Sequence, residues 1–145
     1  MSRHGYSEDY GCDDPWELIR YRGAVTAAIR GKRGQALLRR LRAALDAMPD
    51  KRLVSGVLVN EQGACCALGA VAKAEGLDVA GLNPEDVDQV ALTFGVAPSL
   101  VREITYENDE AIYGWHRDEE ERVRHEEHRW RTVSAWVDRH LEDEQ

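Results

Sequence analysis

The sequence has no apolar run near the ~18 residues that cross a bilayer. Its first residues, Met-Ser-Arg-His-Gly-Tyr, lack the apolar core of a secretory leader. No membrane association is expected, and the default location is the cytoplasm. Cysteine is scarce: Cys12, Cys65 and Cys66 make an odd count, and two of them are adjacent. Disulfide frameworks need spaced pairs and zinc sites usually show Cys-x-x-Cys, so neither is supported and reduced, mostly buried thiols are expected. Net positive charge is missing too. At −8, the chain as a whole repels a phosphate backbone. There is no Gly-Lys-Thr loop, no internal repeat and no linker that would divide the 145 residues, a length that suits one domain with one core. No cofactor is implied.

What the chain does have is a nearly uncharged stretch of small residues, Ala64 to Gly76, in a heavily charged background. As a helix it has no polar face to turn to water, so it belongs at the centre, where small side chains let neighbours approach closely. Gly76 followed by Leu77 is a left-handed stop with an apolar residue packing back. Residues 1–13 lack periodicity and are expected to form a mobile tail ahead of a single helical domain, 14–145. Asp14-Pro15-Trp16-Glu17 combines a cap, a proline at the first helical position and an acid three after the cap. Trp16, Ile19, Val25, Ala28 and Ile29 then share a face to about Arg30. After a basic turn, Leu37, Leu38, Leu41, Ala44, Leu45 and Met48 mark a second helix ended by Pro49-Asp50.

Residues 53–63 contain the only strand-like segment, and a short β-hairpin and an extended connector both fit. Asn83-Pro84-Glu85-Asp86 repeats the cap, proline, acid signature and opens a helix to about Phe94. A further helix starts at Pro98 and ends near Glu107, with Asn108-Asp109-Glu110 read as loop. The last helix runs from about Asp118 to Leu141, with Val123, Trp130, Val133, Val137 and Leu141 on its apolar face. The expected fold is mainly α: a bundle of about five to six helices around the small-residue helix.

Charge is strongly separated. Residues 20–52 hold ten basic side chains against Asp46 and Asp50, giving +8, so the remainder carries −16 of the total −8. Acidic helices docking on basic ones would neutralise this within the chain or across a homodimer. Otherwise two charged faces are presented to partners. The acids outside the expected packing faces, Glu107, Asp109, Glu110, Glu119, Glu120 and Glu121, could mimic phosphate in a nucleic-acid-binding groove. The turn carrying Arg30, Lys32 and Arg33 is the second candidate surface.

Three other patterns carry chemistry. Val90, Ala91, Phe94, Gly95, Val96, Val101 and Ile104 hold the spacing of a helix-turn-helix over 87–105. Its second helix offers one arginine, Arg102, among several carboxylates, which favours a structural corner over DNA reading. A nucleic-acid-binding regulator using this corner or the basic hairpin 30–42 is the alternative. Gln62 to Val71 resembles the nucleophile segment of papain-like proteases, where a cysteine opens a buried helix that lowers its pKa. The two spacer residues of that motif are absent, and the candidate partners Asn108 and His116 come in the wrong order, so a buried structural cysteine is favoured over a hydrolase. Glu121, His125 and His128 share a helix face at metal-binding spacing, yet no fourth ligand is identifiable and a solvated face explains them. No catalytic set and no metal site are therefore assigned.

Several segments taken together resemble a group of small proteins of tailed phages and prophages. They are 16–23, 28–36, 43–49, 51–53, 66–71, 94–97, 103–104, 106–110, 129–130 and 135–137. The resemblance implies a phage-encoded protein made inside a bacterial host and brings no activity or site with it. Phage accessory proteins of this size often bind a host protein, including defence nucleases and CRISPR complexes. The functional expectation is a non-enzymatic interaction protein whose partner is a host or phage protein, with anti-CRISPR-like inhibition as one form.

Overall fold

A side chain at position 69 would collide with the backbone of another segment. A Cβ built there would lie 1.9 Å from the Leu58 carbonyl oxygen and 3.0 Å from the Cys65 Cβ. The glycine therefore lets a helix press directly on the backbone of the preceding connector. The computed structural model describes residues 3–4, 15–112 and 114–142, and among these are six helices and no strand. They are α1 (Pro15–Arg30), α2 (Lys32–Ala47), α3 (Ala67–Glu75), α4 (Val87–Phe94), α5 (Pro98–Asp109) and α6 (Glu119–His140). The small-residue helix is α3, and its residues 67–72 are all buried. It lies between α2 and α5, while α6 spans both of those helices and α1 and α4 pack on α5.

Each boundary has a local cause. Cys66 caps α3 by accepting from the Gly69 N–H at 3.4 Å, and Gly76 ends it in the left-handed region at φ 69°. Leu77 returns its N–H to the Ala72 carbonyl, the closure expected of such a stop. In α2, Leu37, Leu38, Leu41 and Leu45 are fully buried, each contributing about 1.5–3 kcal/mol through lost apolar surface. α4 begins later than its sequence signature suggests. Asn83 turns on itself, its Oδ1 accepting from the Glu85 N–H, and Asp86 becomes the cap by accepting from the Gln89 N–H. Asp118 caps α6 by accepting from the Glu121 N–H at 2.8 Å.

Residues 53–66 form an extended connector folded back on itself. Asn60 makes the turn, its Oδ1 accepting from the Gln62 and Ala64 N–H groups. The hairpin alternative is reduced to a single antiparallel bridge between Val59 and Cys65. Backbone bonds hold the fold-back together, from the Val54 N–H to the Cys65 carbonyl, the Cys66 N–H to Leu58 and the Asn60 N–H to Ala64, while the Leu53 N–H donates to the Glu126 carbonyl of α6 at 3.1 Å.

Helix α1 departs from its amphipathic pattern. Only its last turns are packed, through Val25, Ala28 and Ile29, while Trp16 and Ile19 are 70% and 59% exposed. Helical spacing predicts which residues share a face, not how far a neighbour extends along it. The close approach is at the turn, where a Cβ at Gly34 would lie 1.8 Å from the Ala28 carbonyl oxygen. Of the expected tail, Arg3 and His4 are described, and both are buried. Residues 1–2 and 5–13, with the expected cap Asp14, lie outside the described residues.

Gly69→Ala is expected to destabilise the protein by about 3 kcal/mol, through overpacking against backbone that cannot yield. Gly81→Ala, where nothing lies within 4 Å of the added atom, should stay within about 0.5 kcal/mol. Urea denaturation of the two variants checks both.

Candidate functional site

The six acids singled out from the sequence fall into two groups with different surroundings. At the end of α5, Asp109 receives a two-pronged bond from Arg3, Nε to Oδ2 at 2.6 Å and Nη2 to Oδ1 at 2.7 Å. Burial alone would push the Asp109 carboxyl up. Arg3, helped by the Asn108 amide and the Gly56 N–H, outweighs it and holds the carboxyl below its ordinary range. Glu110 meets His4 Nε2 at 2.6 Å, and the His4 ring stands edge-on to Tyr106. Glu107 is half-buried, and desolvation, reinforced by Glu103 and opposed by Arg139, raises its pKa. These three are not an open acidic surface. Arg3 and His4 return from over a hundred residues away in the chain, a contact that helical periodicity cannot anticipate.

The second group opens α6. Glu119 pairs with Arg122, Glu120 with Arg124 at 3.2 Å, and Glu121 with Arg117 at 2.7 Å. All are pairs three or four residues apart on or beside the helix, and Glu119 and Glu120 remain well exposed. Each carboxylate therefore has an arginine against it before any partner arrives.

The basic segment is neutralised nearly as thoroughly. Arg40 makes a bidentate pair with Glu75 at 2.6 and 2.8 Å. Arg42 bridges Asp46 and Asp138 and donates to the Ser134 hydroxyl. Lys51 donates to the Leu45 and Asp46 carbonyls at the end of α2 and to that of its C-cap, Met48, and its ammonium lies over the Trp130 ring. Arg52 pairs with Glu126 of α6. The turn and Arg22 of α1 are the exceptions among the described residues. Arg30, Lys32 and Arg33 are all exposed, and none has an ion pair or side-chain hydrogen bond among the described residues. The turn is nonetheless held in place. Gln35, at the start of α2, donates to the Ile29 and His140 carbonyls and accepts from the Glu142 N–H at 2.8 Å.

The sequence pattern did not disclose a buried polar cluster. Asn108, expected in a loop, sits in the last turn of α5. Its Oδ1 accepts from the Ala67 N–H at the start of α3, and its Nδ2 donates to the Val54 carbonyl and to Asp109. From α6, Arg129 donates through Nε to the Asn108 carbonyl at 2.9 Å and through Nη1 to the Leu53 carbonyl at 3.0 Å. Burial lowers the Arg129 pKa, while the nearby Asp109 and Glu126 charges work the other way. A signal was present: Glu126, Arg129, Val133 and Trp136 follow a three-four-three spacing, and all four are buried.

The remaining candidates resolve by position. The corner 87–105 forms as spaced, with Gly95 at φ 72° and Val90, Ala91, Phe94, Val96, Val101 and Ile104 buried. Its second helix, α5, has α1, α3, α4 and α6 packed against it, and its only arginine, Arg102, is half-buried. Burial, with Cys66 adding and Lys73 opposing, raises the Cys65 thiol to about 11, so on the order of one molecule in 10⁴ is thiolate at pH 7. Cys66 faces the Gly69 N–H and the Arg3 guanidinium. Asn108 is committed to the buried cluster, and His116 meets His125 through Nδ1 atoms 2.8 Å apart. The parts of a cysteine–histidine pair are thus not assembled among the described residues. Nor does any group of three His, Cys, Asp or Glu side chains there converge on a metal position. No described helix is long and apolar enough to cross a membrane. No protein-family model, curated protein or solved structure matches the chain.

Two outcomes follow from this geometry. Asn108→Ala leaves the Ala67 N–H and the Val54 carbonyl without their buried partner, and should cost about 3 kcal/mol in urea unfolding. Glu107 is the opposite case. Its folded pKa lies above its unfolded value, so the folded state holds the extra proton and loses stability as pH rises through that window. Glu107→Gln should therefore raise the Tm at pH 7, with the gain shrinking as pH falls toward 4.

Proposed function

We propose that this chain is a non-catalytic accessory protein that acts by binding another protein, and that Arg30, Lys32 and Arg33 centre the contact. The observation that carries this reading is the contrast between the two charged sets. Glu119, Glu120 and Glu121 are each met by an arginine of the chain, and Asp109 and Glu110 are enclosed by Arg3 and His4. The three cations of the turn are exposed and unspent. The braced backbone of the turn need not be ordered on binding, which favours association of its cations with an acidic protein surface. A total charge of −8 works against nucleic acid as the main partner. The resemblance to small tailed-phage proteins supports a host or phage protein as that partner, with interference in a host defence, in the manner of anti-CRISPR proteins, as the biological setting.

The acidic opening turn of α6 is the competing surface, because exposed ion pairs are worth only about 0–1 kcal/mol and can be exchanged for a partner. Capture from infected bacterial lysate separates the readings. With Arg30→Glu, Lys32→Glu and Arg33→Glu combined, partner capture should fall at least tenfold, about 1.4 kcal/mol, and the wild-type complex should dissociate in salt but survive nuclease. Glu119→Gln, Glu120→Gln and Glu121→Gln combined should leave capture intact. The reverse pattern would move the contact to α6, and loss of capture after nuclease treatment would make nucleic acid the partner.

A further inference from the structure

The turn and the acids leave one feature unused: a cleft of about 800 Å³ between the end of α2, the 49–65 connector, α3 and the first half of α6. That volume lies in the range of small-molecule sites, about 300–1,000 Å³. It exists because the facing helices carry small side chains where larger ones would fill the gap. Ala44 of α2, Ala70 of α3 and Cys65 make a buried apolar floor, with Met48 and Ala74 beside it. The α6 side is braced by Glu126, a buried carboxylate that takes Arg52 at 2.9 Å and Arg122 at 3.1 Å, and Arg122 is also met by Glu119. These groups satisfy one another and offer a ligand little charge.

Lys73 is different. It lines the cleft, and its ammonium donates at 2.6 Å to the carbonyl of Gly63, another lining residue, with no carboxylate among the described residues against it. Its positive charge is felt at the Cys65 thiol on the floor, where it opposes the rise caused by burial. A cation facing an apolar floor calls for an anion with an apolar body. Asp50 also lines the cleft and is likewise without a cation, which sets a limit on the ligand's charge. A second negative group entering this space would face an uncompensated carboxylate.

We propose that this cleft binds a small aliphatic monocarboxylate, its chain on the Ala44–Cys65–Ala70 floor and its carboxylate on Lys73. This site lies apart from the basic turn and does not depend on the protein-binding reading. Octanoate is the probe, titrated into the ¹⁵N-labelled full chain at pH 7. Saturable shifts are expected at the amides of Ala47, Ala70 and Lys73. Octylamine, with the same chain and opposite charge, should not produce them, and the dicarboxylate suberate should bind at least fivefold more weakly. Lys73→Glu changes an exposed residue and should weaken octanoate at least tenfold. Ala47→Trp, at an exposed position on the cleft wall, should block it by filling the space. The proposal is overturned if octylamine or suberate binds as well as octanoate, if the shifts lie outside the cleft, or if Lys73→Glu binds octanoate like the wild type.

Discussion

The buried arginine of α6 is the group on which the rest of the chain closes. Arg129 joins α6 to the carbonyls of Asn108 and Leu53, while Asn108 reaches on to the start of α3 and to Val54. Four parts of the chain that share no regular hydrogen-bond ladder are thus locked in one register. A buried guanidinium is costly to desolvate, and it is tolerated here because carbonyls accept its protons and the Asp109 and Glu126 charges lie nearby. Hydrophobic burial around α3 supplies the driving force, but apolar contacts are indifferent to small slides. The polar cluster is what selects one arrangement among many of similar apolar area.

Local grammar accounts for what the sequence made legible. Small residues across 64–76 marked the central helix, Gly76 its end, and Gly95 the corner between α4 and α5, because each depends only on neighbours in the chain. The leucines of α2 read correctly for the same reason. What stayed hidden depends on contacts between distant residues. Asn108 and Asp109 have the composition of a loop, and only Ala67, Val54 and Arg3 turn them into a buried helical turn. On α6 the expected apolar face is buried at Val133 and Val137, with Trp130 and Leu141 packed against the core, and the buried face is wider than the apolar one. Glu126 and Arg129 occupy core positions that hydropathy assigns to solvent. The misreading of α1 runs the other way: Trp16 and Ile19 look like core residues, yet no described helix covers them.

The charge separation so conspicuous in the sequence is mostly a device of assembly. Arg40, Arg42 and Arg52 find their acids on α3 and α6 and fasten the basic second helix to its neighbours. Partly exposed pairs of this sort add little stability one by one, but they penalise wrong helix pairings, which would set like charges together. Charge left over after this internal matching is more informative than net charge. By that measure the α1–α2 turn, with Arg22 and Lys73, carries positive charge left unmatched among the described residues in a chain whose sum is strongly negative.

The wiring of the buried cluster also governs when the chain can fold during its own synthesis. Leu53 hydrogen-bonds to Glu126 and Arg129, and Arg3 to Asp109, so the closing contacts span most of the chain. Residues emerge from the ribosome in order, at about 5–20 per second. Until α6 is free, the Leu53 and Asn108 carbonyls have no guanidinium, and the faces of α2 and α5 that α6 covers lie bare. No N-terminal half can settle first and wait. For several seconds the nascent chain is open to chaperones and proteases, with its hydrophobic centre made before the helix that closes it.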